Sequence, residues 1–220
     1  MMNAAPEPVS LNLGVVLLAA GASLRMGRPK LLLPWGETSV LGHLVSVWGS
    51  VGAVQIGVVL ALGDRVLPAE LDRLGFPEEG RILNPAPEEG MFSSIRCAAA
   101  WSGWNRGLTH WVISLGDQPH LHHTTVRRLI DFAASHPNRI CQPSRNGRAR
   151  HPVVLPKEAF FGLADSPGPT LKDFLRSRAG DNARCEIDDP GLEVDLDVPA
   201  DYQKVLPPGN SGWPELGSRS

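Results

Sequence analysis

Three short apolar runs constrain this chain most: LGVVLLAA (13–20), VQIGVVLAL (54–62) and the front of THWVISLGDQP (109–119). Each is continuous rather than alternating, as in strands buried on both faces. Such strands belong to parallel sheets covered by helices on either side. The segments between them have helical spacing. In TSVLGHLVSVW (38–48), Leu41, Leu44, Val45 and Trp48 fall on one helical stripe. VLPAELDRLG (66–75) reads as a short helix closed by glycine, MFSSIRCAAAW (91–101) as a helix entered after Gly90, and TTVRRLIDFAASH (124–136) as a helix with Thr124 as its N-cap. RILNP (81–85), RICQPS and HPVVLP read as shorter strands, the last two around the polar loop RNGRAR. PKEAFFGL and PTLKDFLRSR are helix candidates; ARCEID, LEVDLDV and a last short helix, PADYQKV, follow. Strands alternating with helices predict an α/β fold of three layers with a mainly parallel sheet. Ligands of such folds sit beyond the carboxyl ends of the strands. Two stretches fall there: LLAAGASLRMGRPKLLLPWG (17–36) and GDQP (116–119).

A chain of 220 residues suits one domain, expected over 11–206. Residues 1–10 read as a flexible tail, and the proline- and glycine-rich 207–220 as a disordered one. The net charge of −2 supplies no dominant basic face, which argues against nucleic acid as a partner. Cys97, Cys141 and Cys185 form no CxxC pair and no zinc spacing, so they read as scattered reduced thiols. The first ten residues carry no basic leader, and no apolar run is long enough to span a bilayer. Cytoplasm, with no membrane partner, is the expectation.

The opening loop fails two familiar tests. A dinucleotide fingerprint needs G-x-G-x-x-G, but Ser23 and Met26 follow Gly21 at the other glycine positions. A P-loop needs four residues between its glycines; here five separate Gly21 from Gly27, and Lys30 lies three further on. A longer phosphate-binding loop remains. Ala19, Ala20 and Gly21 leave the backbone open to close approach, and Arg25 and Lys30 bring a planar fork and a point charge toward a triphosphate.

The pattern LAAG-x-S-x-R-M-G-x-P-K-x-L-L-P resembles the signature of nucleotidyltransferases of molybdenum cofactor biosynthesis, more closely the cytidylyltransferase branch. The resemblance continues through NPAPEEGMFSSIRCA (84–98), LGDQP (115–119), GRARHPVVLP (147–156) and VDLDVPADY (194–202). It implies a Rossmann-like nucleotidyltransferase fold, a magnesium ion, and transfer of a nucleotidyl group from a nucleoside triphosphate (CTP favoured) to a phosphorylated acceptor. The implied acceptor is the molybdopterin-bound cofactor, with a molybdoenzyme or its chaperone as a possible protein partner. It also implies nucleotide contacts from Leu18, Ala19, Ala20, Gly21, Arg25, Gly27, Lys30, Asn84, Gly90, Ser93 and Ser94.

Transfer at an α-phosphate needs the triphosphate charge neutralised and the acceptor phosphate held in line. Arg25, Lys30 and Asp117 are the candidate catalytic residues, with Asp117 at the end of a strand as the best magnesium ligand. In an extended VDLDV, Asp195 and Asp197 share one face. The residues alone leave open which of them touches metal; the working assignment is Asp197 to the metal and Asp195, with His151, to the acceptor. The histidines of HLHH (120–123) read as solvated.

Two departures from the resembling branch stand out: Arg150 occupies the place of a usual glycine, and PTLKDFLRSR lacks the G-D-x-G-A-R run. Three alternatives follow: a nucleotidyltransferase acting on a sugar phosphate or phospho-alcohol, a non-catalytic accessory protein of molybdoenzyme maturation, and an NAD-dependent oxidoreductase.

Overall fold

The structure, a computed structural model, describes residues 10–21 and 26–207. Most of the two expected tails, and Arg25, lie outside the described residues. In chain order the elements are β1 (Leu13–Leu18), β2 (Pro34–Trp35), β3 (Thr38–Ser39), α1 (Val40–Ser50), β4 (Gln55–Ala61), α2 (Val66–Arg73), β5 (Arg81–Asn84), α3 (Met91–Ala100), β6 (His110–Leu115), α4 (His123–Ser135), β7 (Ile140–Arg145), β8 (Arg148–Ala149), β9 (Val153–Pro156), α5 (Lys157–Phe161), α6 (Leu171–Ser177), β10 (Asn182–Glu186) and α7 (Pro199–Val205).

One sheet runs β10-β7-β9-β6-β1-β4-β5, with β8 hairpinned onto β7. β1 lies between β4 and β6, parallel to both; β5 pairs in parallel with β4, and β10 with β7. Only β8 and β9 pair antiparallel within this sheet. All six residues of β1 are buried. Val16 and Leu18 enter one core with Ile95 of α3, Phe160 of α5 and Phe174 of α6. Leu17 faces a second core with Leu41 of α1, Leu71 of α2 and Tyr202 of α7; Val15 faces a third with Val126 and Leu129 of α4. Helices therefore cover both faces, as the continuous apolar runs require.

Three local expectations are corrected. The helix expected from Thr38 begins at Val40: Thr38 and Ser39 first pair with Trp35 and Pro34, and the Ser39 hydroxyl then accepts from Gly42 N–H at 3.1 Å. The N-cap of α4 is His122, not Thr124; its first turn is fixed instead by Thr125, whose buried hydroxyl donates to Asp189 at 2.6 Å. VDLDV is no extended strand. Asp197 N–H donates to Asp195 C=O at 2.9 Å, a tight turn about Leu196, so two-residue alternation does not apply there. Leu196 itself is fully buried.

All three cysteines are free, and burial pushes the Cys141 thiol up to about 12. No helix among the described residues is long and apolar enough to cross a membrane.

Burial also lowers the pKa of His43, whose ring pairs with the Pro119 carbonyl at 3.0 Å, and of His110, paired with Pro137 C=O at 2.8 Å. With folded values depressed, the unfolded chain takes up these protons first as pH falls. Their contribution to stability is complete above about pH 6.5 and is lost below it. Urea midpoints at fixed salt are expected to drop between pH 7.5 and 5.5; a midpoint that holds or rises contradicts this.

Candidate active site

The carboxyl ends of β1 and β6 and the start of α3 enclose a cavity of about 270 Å³. Leu18, Ala19, Ala20 and Gly21 form one wall; Gly90 and Ser94 form another; Lys30 and Asp117 lie at its charged end. The sequence thus brings together eight of its candidates. Gly27, Asn84, Ser93 and His151 stand outside this wall, as do Asp195 and Asp197.

Lys30 opens a 3-10 turn, Lys30–Leu32. Its ammonium donates to Asp117 Oδ2 at 2.7 Å and to Leu196 C=O at 3.4 Å. Asp117 holds the far segment as well, since its own carbonyl accepts from Leu196 N–H at 3.0 Å. Next to it, Gln118 donates to Asp195 Oδ1 at 2.8 Å. The tight turn at 195–197 is thereby stapled to the end of β6. Asp117 Oδ1 is buried and has no hydrogen-bond partner among the described residues. A buried carboxylate oxygen without a donor is costly, unless a cation or a ligand proton meets it.

Gly90 enters α3 with φ +93°, a left-handed backbone that favours glycine. The turn before it is built by Asn84. The Asn84 amide donates to Ser93 Oγ (2.8 Å) and Ser94 Oγ (2.9 Å), while its oxygen accepts from Ala86 N–H at 2.9 Å. Ser93 in turn donates to the carbonyls of Ala86 and Gly90. These polar groups hold the loop that carries Gly90; of the three, only Ser94 also borders the cavity.

Sequence reasoning passed over Gly116. A Cβ there would sit 2.6 Å from the Leu18 carbonyl oxygen and 3.0 Å from Leu31, so only glycine lets β1 and β6 close at the floor of the cavity. The LGDQP stretch carried the signal; what the glycine touches was not written in it.

His151 lines a neighbouring cavity. Burial lowers its pKa, against the raising pull of Asp117, the Ile113 carbonyl and Asp195. Its Nδ1 has no partner among the described residues. Among those residues no group of three or more His, Cys, Asp or Glu is gathered to hold a metal ion.

A sequence profile of the MobA-like NTP transferase domain matches residues 15–183. The chain belongs to that family. It is 26% identical over 191 residues to the molybdenum cofactor cytidylyltransferase of Escherichia coli K12, spanning 85% of this chain and 92% of the relative. To the molybdenum cofactor guanylyltransferase of Mesorhizobium japonicum it is 34% identical over 169 residues, covering 73% and 76%. The nicotine blue oxidoreductase of Paenarthrobacter nicotinovorans is 28% identical over 192 residues, covering 82% and 90%. Among solved structures, Rv0371c of Mycobacterium tuberculosis H37Rv superimposes with a TM-score of 0.70 at 27% identity, covering 89% of this chain and 98% of its own. A manganese complex of that protein superimposes with a TM-score of 0.63, covering 90% and 99%.

Proposed function

We propose that this MobA-like nucleotidyltransferase moves CMP from CTP onto the phosphate of the molybdenum cofactor and releases pyrophosphate. The observation that carries the reading is the Lys30–Asp117 pair at 2.7 Å, with a second, partnerless carboxylate oxygen beside it at the end of a small-residue loop. An oxygen of the acceptor phosphate attacks the α-phosphorus. The bond from that phosphorus to the α,β-bridging oxygen breaks, and pyrophosphate leaves with the electron pair. Lys30 places its charge against the departing phosphates, and the backbone from Ala19 to Gly21 admits the triphosphate closely. Arg25, four residues after Gly21 in the sequence and outside the described residues, is the candidate for a second cation.

The donor chemistry at Asp117 suits magnesium, a hard cation that takes few protein carboxylates and keeps waters and phosphate oxygens as its other ligands. Asp117 Oδ1 and Asp197 would hold it, and the bound ion would neutralise charge on the triphosphate. The partnerless state of Asp117 Oδ1 supports this fit, and the manganese complex of the Mycobacterium protein is consistent with a divalent ion. The oxidoreductase relative raises a redox reading, yet the loop lacks the dinucleotide fingerprint at Ser23 and Met26.

Lys30→Ala should weaken triphosphate binding more than monophosphate binding, because in this reading the ammonium that holds Asp117 Oδ2 also meets the β- and γ-phosphates. Equal losses for CTP and CMP would contradict that placement. The base preference rests on Ala20, whose methyl group narrows the loop against a purine. Discrimination on the scale of one methylene is about 1–2 kcal/mol, or roughly tenfold to thirtyfold. Competition binding should rank CTP above GTP, and Ala20→Gly should shrink that ratio without reversing it. GTP binding as tightly as CTP would overturn the cytidylyl assignment.

A further inference from the structure

Beyond His151 the sheet opens onto a second cavity, about 620 Å³, between β7, β8, β10 and α6; Met91 borders both cavities. Five cationic side chains line it, Arg148, Arg150, Lys172, Arg176 and Arg184, and among the described residues no carboxylate does. The whole chain has 21 Lys and Arg against 23 Asp and Glu, so a one-signed wall is a local construction, not a reflection of composition. The cations come from the β8–β9 stretch, from α6 and from β10, so the basic RNGRAR loop accounts for only two of the five.

They are only partly neutralised. Arg150 donates to Glu193 at 3.1 Å, and Arg176 lies 3.7 Å from Asp173. Among the described residues Arg184 donates to the neutral Gly147 carbonyl, at 3.1 Å. Three polar atoms of the wall, Arg150 Nε, His151 Nδ1 and Asn182 Oδ1, are buried without a hydrogen-bond partner among the described residues. Arg150 Nε is a donor and Asn182 Oδ1 an acceptor, while the imidazole nitrogen can serve as either. The wall as a whole therefore suits an anion that also carries a hydroxyl or amine proton.

We propose that this cavity is a second anion subsite for the acceptor, holding an anionic group other than the phosphate that reacts. The inference rests on the nucleotidyl-transfer reading and narrows its substrate class. The acceptor carries two anionic groups far enough apart for one to sit among Arg148, Lys172 and Arg184 while its phosphate reaches back past His151 toward Asp117. A phospho-alcohol with a single phosphate leaves these cations unengaged.

The test uses fructose 1,6-bisphosphate and fructose 6-phosphate as probes, titrated calorimetrically into the full chain with the first cavity filled by a methylene-bridged CTP analogue and magnesium. The bisphosphate is expected to bind at least about tenfold tighter, as two charge-assisted contacts add to one. The double variant R148A/R184A should lose most of that preference, with analogue affinity and circular dichroism unchanged. Lys restored at both positions should recover part of it. Equal affinity for the two probes, or a preference that survives the double variant, overturns the proposal. Should the analogue itself fail to bind, the nucleotide reading falls, and the same titrations without it still judge this cavity.

Discussion

Asp117→Asn is expected to leave a folded protein with turnover reduced more than about a hundredfold. Substitutions one shell out from a metal already cost about 10- to 100-fold, and this one changes the carboxylate proposed to meet the metal directly. The fold survives because the positional ties of residue 117 run through its backbone: its carbonyl still accepts from Leu196 N–H. An amide oxygen can also still accept from Lys30. Pyrophosphate release under saturating nucleotide and magnesium, beside a urea melt, separates the two effects. A variant with near-normal turnover would remove Asp117 from the metal site.

Gly116→Ala is the second large expectation, and it is mechanical. The new methyl group meets the Leu18 carbonyl oxygen at 2.6 Å, a backbone atom that cannot rotate aside, and the Leu31 side chain at 3.0 Å. Overpacking of this kind costs about 1–3 kcal/mol, which for a chain this long lowers the melting temperature by about 2–4 °C per kcal/mol. Because Leu18 and Gly116 both border the first cavity, nucleotide affinity should fall together with stability. Calorimetric melting with and without CTP checks both. An unchanged melting temperature would mean that β1 and β6 part without cost.

The sheet was legible because its central strands are buried on both sides. Such burial leaves an unbroken apolar run, and β1 and β6 carry it almost residue for residue. VDLDV was misleading for a complementary reason. Its alternation looks like a strand facing water, but the backbone turns at Leu196 to plug a core and to meet Asp117. That preference belongs to the tertiary partner and not to the local pattern. Asn84, Ser93 and Ser94 entered as nucleotide contacts that the family resemblance implies. Their chief partners turned out to be one another. The basic wall escaped notice because its three parts, Arg148 and Arg150 in RNGRAR, Lys172 and Arg176 on α6, and Arg184 on β10, meet only in space. Lys30 and Asp117 were each found as charges at strand ends, while their contact needed the folded chain.

The stapling of Leu196 to both Lys30 and Asp117 also sets an order of events during synthesis. Lys30 and Leu196 lie 166 residues apart in the chain, and Gln118 waits across 77 residues for Asp195. While the chain is being made, β1, β4 and β6 can pair long before residue 196 has left the ribosome. A nascent chain stopped before Asp195 therefore presents the Lys30–Asp117 pair without the segment that braces it, and cannot hold the complete constellation. The brace arrives late, since Asp195 follows Gln118 by 77 residues.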